Sequence, residues 1–368
     1  MGRAINIVVA TVMWCAVVAY LVVMADYVPE RRSAVVVESV RIVVVDTADV
    51  RTVSREKVTR ILSLNTDSPT GLPVDSIDVG AIENALAALP EVKRASVRCD
   101  LEGVLTIRVE GRAPMLRVRS DGGYRFWLSD DGYIIPDEGV FGAYVPVVTG
   151  SIPFPFGPSA SGSYAAIRRA DYDDYLGRFT AIEAERGRLS SELADIRGKL
   201  RAARSSGPKR FWRDDRKERF AADRLVRIAE HEAEVAKTET ALRELASKKA
   251  SLIEKEKKSH ESYIFLTKLA NFVGIVERDD FWSAQIVQIN VPGDAPGSNG
   301  NPYRWREPEL ELVPRAGDHT VLLGRLDGDE KQKLEKLRLF YLDGLRHEGW
   351  DRFGRIDIRY KDQIVCTR

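Results

Sequence analysis

Two heptad repeats in the middle of the chain constrain the fold most strongly. They lie on either side of the segment RSSGPKRFW (204–212), and in each half the seam recurs at alternating intervals of four and three residues. The predicted seam positions are Ile182, Arg186, Leu189, Leu193, Ile196, Leu200 and Ala203, then Ile228, His231, Val235, Thr238, Leu242, Leu245, Lys249 and Leu252. Two such helices joined by a short Gly-Pro turn form an antiparallel hairpin, so we predict a coiled-coil hairpin over residues 172–261.

A small α+β module is predicted at 35–112. A β-branched run at 35–46 indicates a strand, and 54–64 and 74–92 each indicate a helix with one apolar face. Residues 93–114 alternate as two strands. The order strand, helix, helix, strand, strand predicts two helices covering one face of a three-stranded sheet.

The remaining residues, 113–368, predict a mixed β domain that the hairpin interrupts. Turns at 121–123 and 130–132 separate alternating runs, as in β-hairpins. After the predicted hairpin, the pattern indicates helices at 262–274 and 328–350 and strands at 281–291, 310–316 and 321–327. Both ends of an antiparallel hairpin lie close together, so such an insertion leaves the host sheet intact. The predicted fold class is therefore α+β.

The N-terminal run INIVVATVMWCAVVAYLVVM (5–24) carries no charge over twenty residues. At about 1.5 Å per residue it would span about 30 Å, the thickness of a bilayer core. We therefore predict a cytoplasmic tail at 1–4, a single transmembrane helix at 5–25 and the bulk of the chain in the periplasm. A cleaved signal peptide is the alternative, but its apolar region would be shorter and would end in a small-x-small site.

The composition argues against nucleic-acid binding and catalysis. The net charge is +1, which gives no basic excess for nucleic acid. No phosphate-binding glycine loop or nucleophile elbow occurs. His231, His260, His319 and His347 do not stand in metal-ligand spacing, and Cys15, Cys99 and Cys366 are too few for a disulfide framework. We expect no catalytic residue, no cofactor, no metal and no small-molecule substrate.

The chain ends on RIDIRYKDQIVCTR (355–368), whose first six residues alternate between apolar and charged. This alternation predicts a strand with one buried face. With little chain left to pair with it, we expect it to be the edge of the sheet. Such an edge either accepts a strand from another protein or is blunted by its own charges.

The order of these segments resembles the FtsQ (DivIB) family of bacterial cell-division proteins, most closely members from the Bacteroidetes. The residues that carry the resemblance are ALAALPEV (85–92), VEGRAP (109–114), LSDDGYIIP (128–136), YVPVVTG (144–150), QIVQINV (285–291), VLLGRLD (321–327), KLEKLRLFY (333–341) and the C-terminal RIDIRYKDQIV. The resemblance implies that 35–112 is a polypeptide-transport-associated (POTRA) domain. Typical members lack the hairpin, so the family assigns it no role.

The resemblance further implies a divisome scaffold and not an enzyme. Its partners would be the FtsB–FtsL pair, together with FtsW and FtsI, FtsK and FtsA, and it would help to regulate septal peptidoglycan synthesis. It would lie in the inner membrane, concentrated at the septum. The implied site is strand addition to the C-terminal strand, with Tyr360 at the position of the family's partner-contacting tyrosine. The predicted partner-binding residues are Ile356, Asp357, Ile358, Arg359, Tyr360, Lys361, Asp362 and Gln363.

Two alternatives stay open at this point. A periplasmic adaptor of an efflux or secretion system also runs from an anchor through a β segment into a long helical hairpin. It would carry lipoyl-like half motifs at the hairpin bases, where this chain has a Pro/Gly/Ser-rich loop (151–163) and an apolar helix. The hairpin itself is either an arm that reaches a partner or a spacer.

Overall fold

The computed structural model of the chain describes residues 12–24, 35–45, 52–65, 69–100, 102–137, 143–293, 307–350 and 352–368. Within these residues the strands form two sheets, one of three strands and one of ten. Two long helices leave the larger sheet and return to it.

The structure does not support the predicted N-terminal transmembrane helix, and we correct that prediction here. In the described part of this region, residues 12–24 are helical, and we call this segment α1. No helix among the described residues is long and apolar enough to cross a bilayer. The predicted tail at 1–4 and the rest of the predicted span lie outside the described residues.

The first module has the predicted order of elements. Its strands and helices are β1 (Ser39–Val45), α2 (Arg55–Asn65), a 3-10 turn (Val74–Ser76), α3 (Val79–Ala87), β2 (Val92–Cys99) and β3 (Val104–Gly111). β3 is central, parallel to β1 and antiparallel to β2. Ser54 accepts a hydrogen bond from the N–H of Lys57 at 3.2 Å and so begins α2 as an N-cap. Ile82 and Leu86 of α3 pack with Ile107 of the central strand in a separate core.

The second unit is a ten-stranded mixed sheet. Its strands are β4 (Pro114–Ser120), β5 (Arg125–Ser129), β6 (Tyr133–Pro136), β7 (Val147–Gly150), β8 (Gly162–Ser163), β9 (Ile286–Val291), β10 (Leu310–Pro314), β11 (Thr320–Gly324), β12 (Arg355–Asp357) and β13 (Val365–Thr367). Their order is β13-β12-β11-β10-β9-β7-β4-β5-β6-β8. Strands from before and after the long helices therefore share one sheet, because β7 pairs in parallel with β9 through Val148 and Ile289.

The long helices are α4 (Tyr164–Ser205) and α5 (Asp214–Glu277). They run antiparallel, since ion pairs join Arg168 to Glu256 near the sheet and Arg204 to Glu232 near the tip. Apart from the exposed Arg186, every predicted seam position is buried or partly buried. The helix predicted separately at 262–274 is the continuous end of α5, because no helix-breaking residue separates it from the charged part.

The core of the larger unit lies between the sheet and the end of α5. Helix α5 becomes apolar from Tyr263 onward. Its residues Phe265, Leu269 and Phe272 are buried in the core with the sheet. Three further helical segments follow, α6 (Asp280–Gln285), α7 (Glu330–Leu339) and α8 (Arg346–Glu348), with a π-helical turn at Phe340–Leu345.

The strand predicted at 281–291 is wrong in its first half. Asp279 accepts hydrogen bonds from the N–H groups of Phe281 and Trp282 and caps a helical turn there.

A buried arginine connects the two units. Arg112 lies between β3 and β4, is 6% exposed, and binds the carboxylate of Asp131 in the turn between β5 and β6. Its guanidinium also lies 3.2 Å from the ring centroid of Tyr133, and the backbone N–H of Arg112 donates to the carbonyl of Glu91 at 2.9 Å. Because a buried guanidinium is costly without partners, these contacts fix where the chain leaves the first module.

Candidate functional site: the C-terminal edge

The end of the chain differs from the prediction in one important respect. β12 is not the edge of the sheet, because β13 returns and pairs antiparallel with it, through Ile356 and Cys366. On its other side β12 pairs in parallel with β11. The prediction is wrong because it assumed that no later segment could pair with this strand, whereas the three residues Val365–Thr367 do so. Their β-branched residues after the Lys361-Asp362 turn were the available signal.

The eight predicted partner-binding residues therefore divide into two groups. Ile356 and Ile358 are fully buried in the sheet core, and Asp357 is buried beside them. The other five, from Arg359 to Gln363, are exposed and form the turn that joins β12 to β13. We call this turn (359–364) together with β13 the C-terminal edge. The partner-binding role of these residues stays a prediction.

The direction of the backbone hydrogen bonds shows which side of β13 is open. The N–H of Ile358 donates to Leu322 at 3.1 Å, and the N–H of Thr320 donates to the carbonyl of Gly354 at 3.0 Å. Ile358 and the carbonyl of Gly354 therefore face β11, whereas the N–H of Gly354 donates to the carbonyl of Thr367 in β13 at 3.0 Å. Because backbone groups alternate sides along a strand, Arg355 and Asp357 direct theirs toward β13.

It follows that Cys366 presents its N–H and carbonyl to the open side. Its neighbours Val365 and Thr367 pair with Asp357 and Arg355, so their backbone groups are directed inward. Among the described residues, no strand lies beyond β13. This short open side can accept a strand through main-chain hydrogen bonds.

The turn is held by a lysine that the sequence did not single out. Lys336 of α7 donates from Nζ to the carbonyls of Ile358 at 3.2 Å and Gln363 at 3.3 Å, and it also binds the carbonyl of Tyr360. An ammonium has three donors and can satisfy several carbonyls that a tight turn directs inward. Partial burial and the charge of Lys333 lower the pKa of Lys336. The carbonyls of the turn are thereby fixed toward α7.

A second group fixes the start of the turn. Arg359 forms a fork on Asp357, with Nη2 at 2.6 Å from Oδ2, and reaches Glu309 at 2.9 Å. Burial alone would raise the pKa of Asp357, but its hydrogen bonds with Arg359 outweigh burial and lower it. The arginine stem crosses Gly324, whose φ is +81° and where a Cβ would lie 2.8 Å from Cγ of Arg359. Position 324 therefore favours glycine for two reasons: the positive φ of its backbone, and the closeness of the Arg359 side chain.

Apolar side chains remain exposed around this framework. Tyr360 is 47% exposed in the turn and Val365 is 40% exposed on β13. Leu339 is also exposed and lies one helical turn after Lys336, on the same face of α7. Exposed apolar residues beside an open strand are the arrangement in which backbone pairing gives affinity and side chains give specificity.

The described residues offer little for chemistry. They contain no group of three His, Cys, Asp or Glu side chains placed to hold a metal. His319 is buried and lies 2.6 Å from the hydroxyl of Tyr341, so it is a core residue. Cys15, Cys99 and Cys366 are free thiols, and burial raises the pKa of the latter two.

A two-unit protein with a POTRA-like order of elements and an open strand at the end of a large sheet belongs to a class that binds other proteins. Comparison with protein families gives two matches, a POTRA-like domain at residues 35–110 and the model described as FtsQ/DivIB, C-terminal related, at residues 234–367. Comparison with the curated proteins finds no match. The two matches lie in this order on one chain and together support an FtsQ/DivIB family protein, a family of cell division. The second match begins within α5, and neither match includes α4.

Proposed function

We propose that this protein is a non-catalytic scaffold of the bacterial divisome and that the C-terminal edge is its main docking site. A coiled-coil division protein of the FtsB type adds a strand to the open side of β13, and FtsL comes with it. Through this contact and others with FtsW, FtsI, FtsK or FtsA, the protein gathers partners at the septum and regulates septal peptidoglycan synthesis.

The observation that carries the proposal is the open side of β13 next to a braced turn. The backbone groups of Cys366 have no strand partner among the described residues, whereas the turn before it is fixed by Lys336 and Arg359. Because the turn is already fixed, less conformational entropy is lost when a partner binds. The charges at Arg359, Lys361 and Asp362 disfavour pairing of two copies of this edge.

Photo-crosslinking in dividing cells tests the proposal. A photoreactive amino acid replaces Tyr360, and in a control it replaces Tyr144, a 94% exposed tyrosine just before β7, five strands away in the sheet. We expect an adduct with the FtsB-type protein from position 360 and none from position 144. Equal adducts from both positions, or none from position 360, would contradict the proposed docking site.

A further inference from the structure

The base of the helical hairpin contains a groove that the C-terminal edge does not explain. It is open along its length, has a volume of about 800 Å³, and lies where α4 and α5 leave the sheet. Its walls include Ala165, Arg168, Tyr172, Ile253, Lys257 and His260. An adjoining hollow of about 390 Å³ continues it past Tyr263 and Ile264.

The walls of the groove follow helical spacing on both sides. On α4 the lining residues from Ala165 to Tyr175 span about three helical turns, or about 15 Å. On α5 the residues Ile253, Lys257 and Ile264 lie on one face. Tyr172, Ile253 and Ile264 are each more than 40% exposed. Ridges at this spacing on two antiparallel helices accept the side chains of a third helix.

The adjoining hollow, which Arg168 and Tyr263 both line, contains polar atoms without partners among the described residues. Tyr263 is 5% exposed, yet its hydroxyl has no hydrogen-bond partner among the described residues. Arg168 lies with its guanidinium carbon 5.1 Å from the Tyr263 ring centroid. Its Nη2 binds Glu256 at 2.5 Å and lies 3.4 Å from His260, but its Nη1 is buried and has no partner in the described structure. Buried donors without an acceptor are rare in native proteins, and an acceptor oxygen supplied by a ligand would satisfy them.

The charges around these donors favour an acidic ligand. Glu256 is the one carboxylate of the groove lining, and Arg168 neutralises it. Arg169 and Lys257 also line the groove, are exposed, and have no ion pair among the described residues. Asp171 is the further carboxylate that acts on Arg168 and Tyr263, and against it stand the two cations Arg169 and Lys257. The groove therefore keeps an excess of positive charge beside apolar walls, which favours a carboxylate carried on an apolar surface.

We propose that this groove binds an amphipathic α-helix of a partner protein whose apolar face carries an acidic side chain. The apolar face packs on Tyr172, Ile253 and Ile264 and completes a three-helix bundle. The carboxylate accepts hydrogen bonds from Nη1 of Arg168 and from the Tyr263 hydroxyl, and Arg169 and Lys257 attract further acidic residues. This contact is independent of strand addition at the C-terminal edge.

Binding of defined peptides to the purified full chain tests the inference. The probe is a fluorescent amphipathic peptide of Leu, Ala and Glu of about 18 residues, or about five helical turns, with one Glu on its Leu face. A second peptide has Lys in place of every Glu. We expect saturable binding of the acidic peptide, measured by fluorescence anisotropy, and much weaker binding of the basic peptide.

Charge-reversal variants locate the binding. Arg169→Glu with Lys257→Glu should weaken the acidic peptide about tenfold or more and improve the basic peptide. The matched control is Arg243→Glu with Lys248→Glu, two exposed residues of α5 outside the groove, which changes the net charge equally. This control should bind as the parent does. Circular dichroism verifies that all three chains keep the same helix content.

Each other outcome overturns the inference. The same loss of binding in both double variants would show a general charge effect. The groove is also not a helix site if the acidic peptide does not bind, or if vesicles of phosphatidylglycerol bind through Arg169 and Lys257 while the peptide does not. Crosslinks from position 172 to a second copy of the chain, in place of the peptide, would assign the groove to self-association.

Discussion

Nζ of Lys336 lies 3.2 Å from the carbonyl oxygen of Ile358, so a helix residue fixes the point at which the last core strand stops and turns. Ile358 is fully buried, whereas Tyr360, two residues later, is exposed. The change from core to docking surface thus occurs within three residues, and the lysine holds the backbone on both sides of it.

Replacing Lys336 by methionine should loosen this turn. The change keeps the length and apolar stem of the side chain but leaves the carbonyls of Ile358, Tyr360 and Gln363 without their shared donor. We expect the free energy of unfolding to fall by about 1.5–3 kcal/mol, the range of a hydrogen bond to a charged group. Urea denaturation measures this. Lys331→Met, at an exposed position of the same helix, should change stability very little.

Gly324→Ala should destabilise the protein for two separable reasons. The residue has φ of +81°, and its new Cβ would lie 2.8 Å from Cγ of Arg359. We expect a loss of about 2–3 kcal/mol, of which about 1 kcal/mol comes from the backbone. Gly123→Ala isolates the backbone part, since Gly123 also has φ of +81° and has nothing within 4 Å of the added Cβ.

The steric contact with Arg359 should account for the rest of the stability that Gly324→Ala loses. If so, Arg359→Ala should restore part of the stability of Gly324→Ala, and a double-mutant cycle measures that coupling. Additive losses in the cycle would show that Arg359 does not cause the steric part.

The pair of Asp357 and Arg359 should make stability depend on pH in the acid range. Hydrogen bonds with Arg359 hold the folded-state pKa of Asp357 below its unfolded value, against the opposing effect of burial. The pair therefore stabilises the fold above the unfolded pKa of about 3.9, and this contribution is lost as pH falls through the folded pKa. Asp357→Asn should cost about 1 kcal/mol at neutral pH, and the difference from the parent should shrink below pH of about 4. A constant difference in denaturation experiments across this range would contradict the assignment.

Two proline substitutions separate folding from docking at β13. Cys366→Pro removes an N–H that faces the open side, and proline is tolerated there on an edge strand. Val365→Pro removes an N–H on the side that pairs with Asp357. We expect the first variant to fold normally and to bind the FtsB-type partner about tenfold or more weakly. The second should lose stability even without a partner, as thermal unfolding would show.

The sequence predicted those parts of the fold that rest on local periodicity. The two helices of the first module and the long helices α4 and α5 follow from apolar residues at helical spacing, for example Ile82 and Leu86 or Leu193 and Leu200. Ser54, the first residue of the helix predicted at 54–64, is its N-cap. The mixed α+β class with a POTRA-like module was also predicted correctly.

Features that depend on contacts distant in sequence were missed. β13 is three residues long and is a strand only because β12 lies beside it. In the sequence Lys336 is an ordinary helix lysine, and its role depends on carbonyls of Ile358 and of the turn 359–364, which are distant in sequence. Within 281–291 the strand begins only at Ile286, because Asp279 caps a helical turn before it. The predicted span at the N-terminus rested on hydropathy alone, and no helix among the described residues is long and apolar enough to cross a bilayer.

Hydrogen exchange at the amide of Cys366 tests the central claim most directly. The full chain is measured alone and in complex with the FtsB-type partner. The account predicts that this amide exchanges freely in the chain alone, because it faces the open side of β13, and is strongly protected in the complex. An amide that exchanges equally fast in both states, while protection develops elsewhere on the chain, would show that the partner does not add a strand at the C-terminal edge.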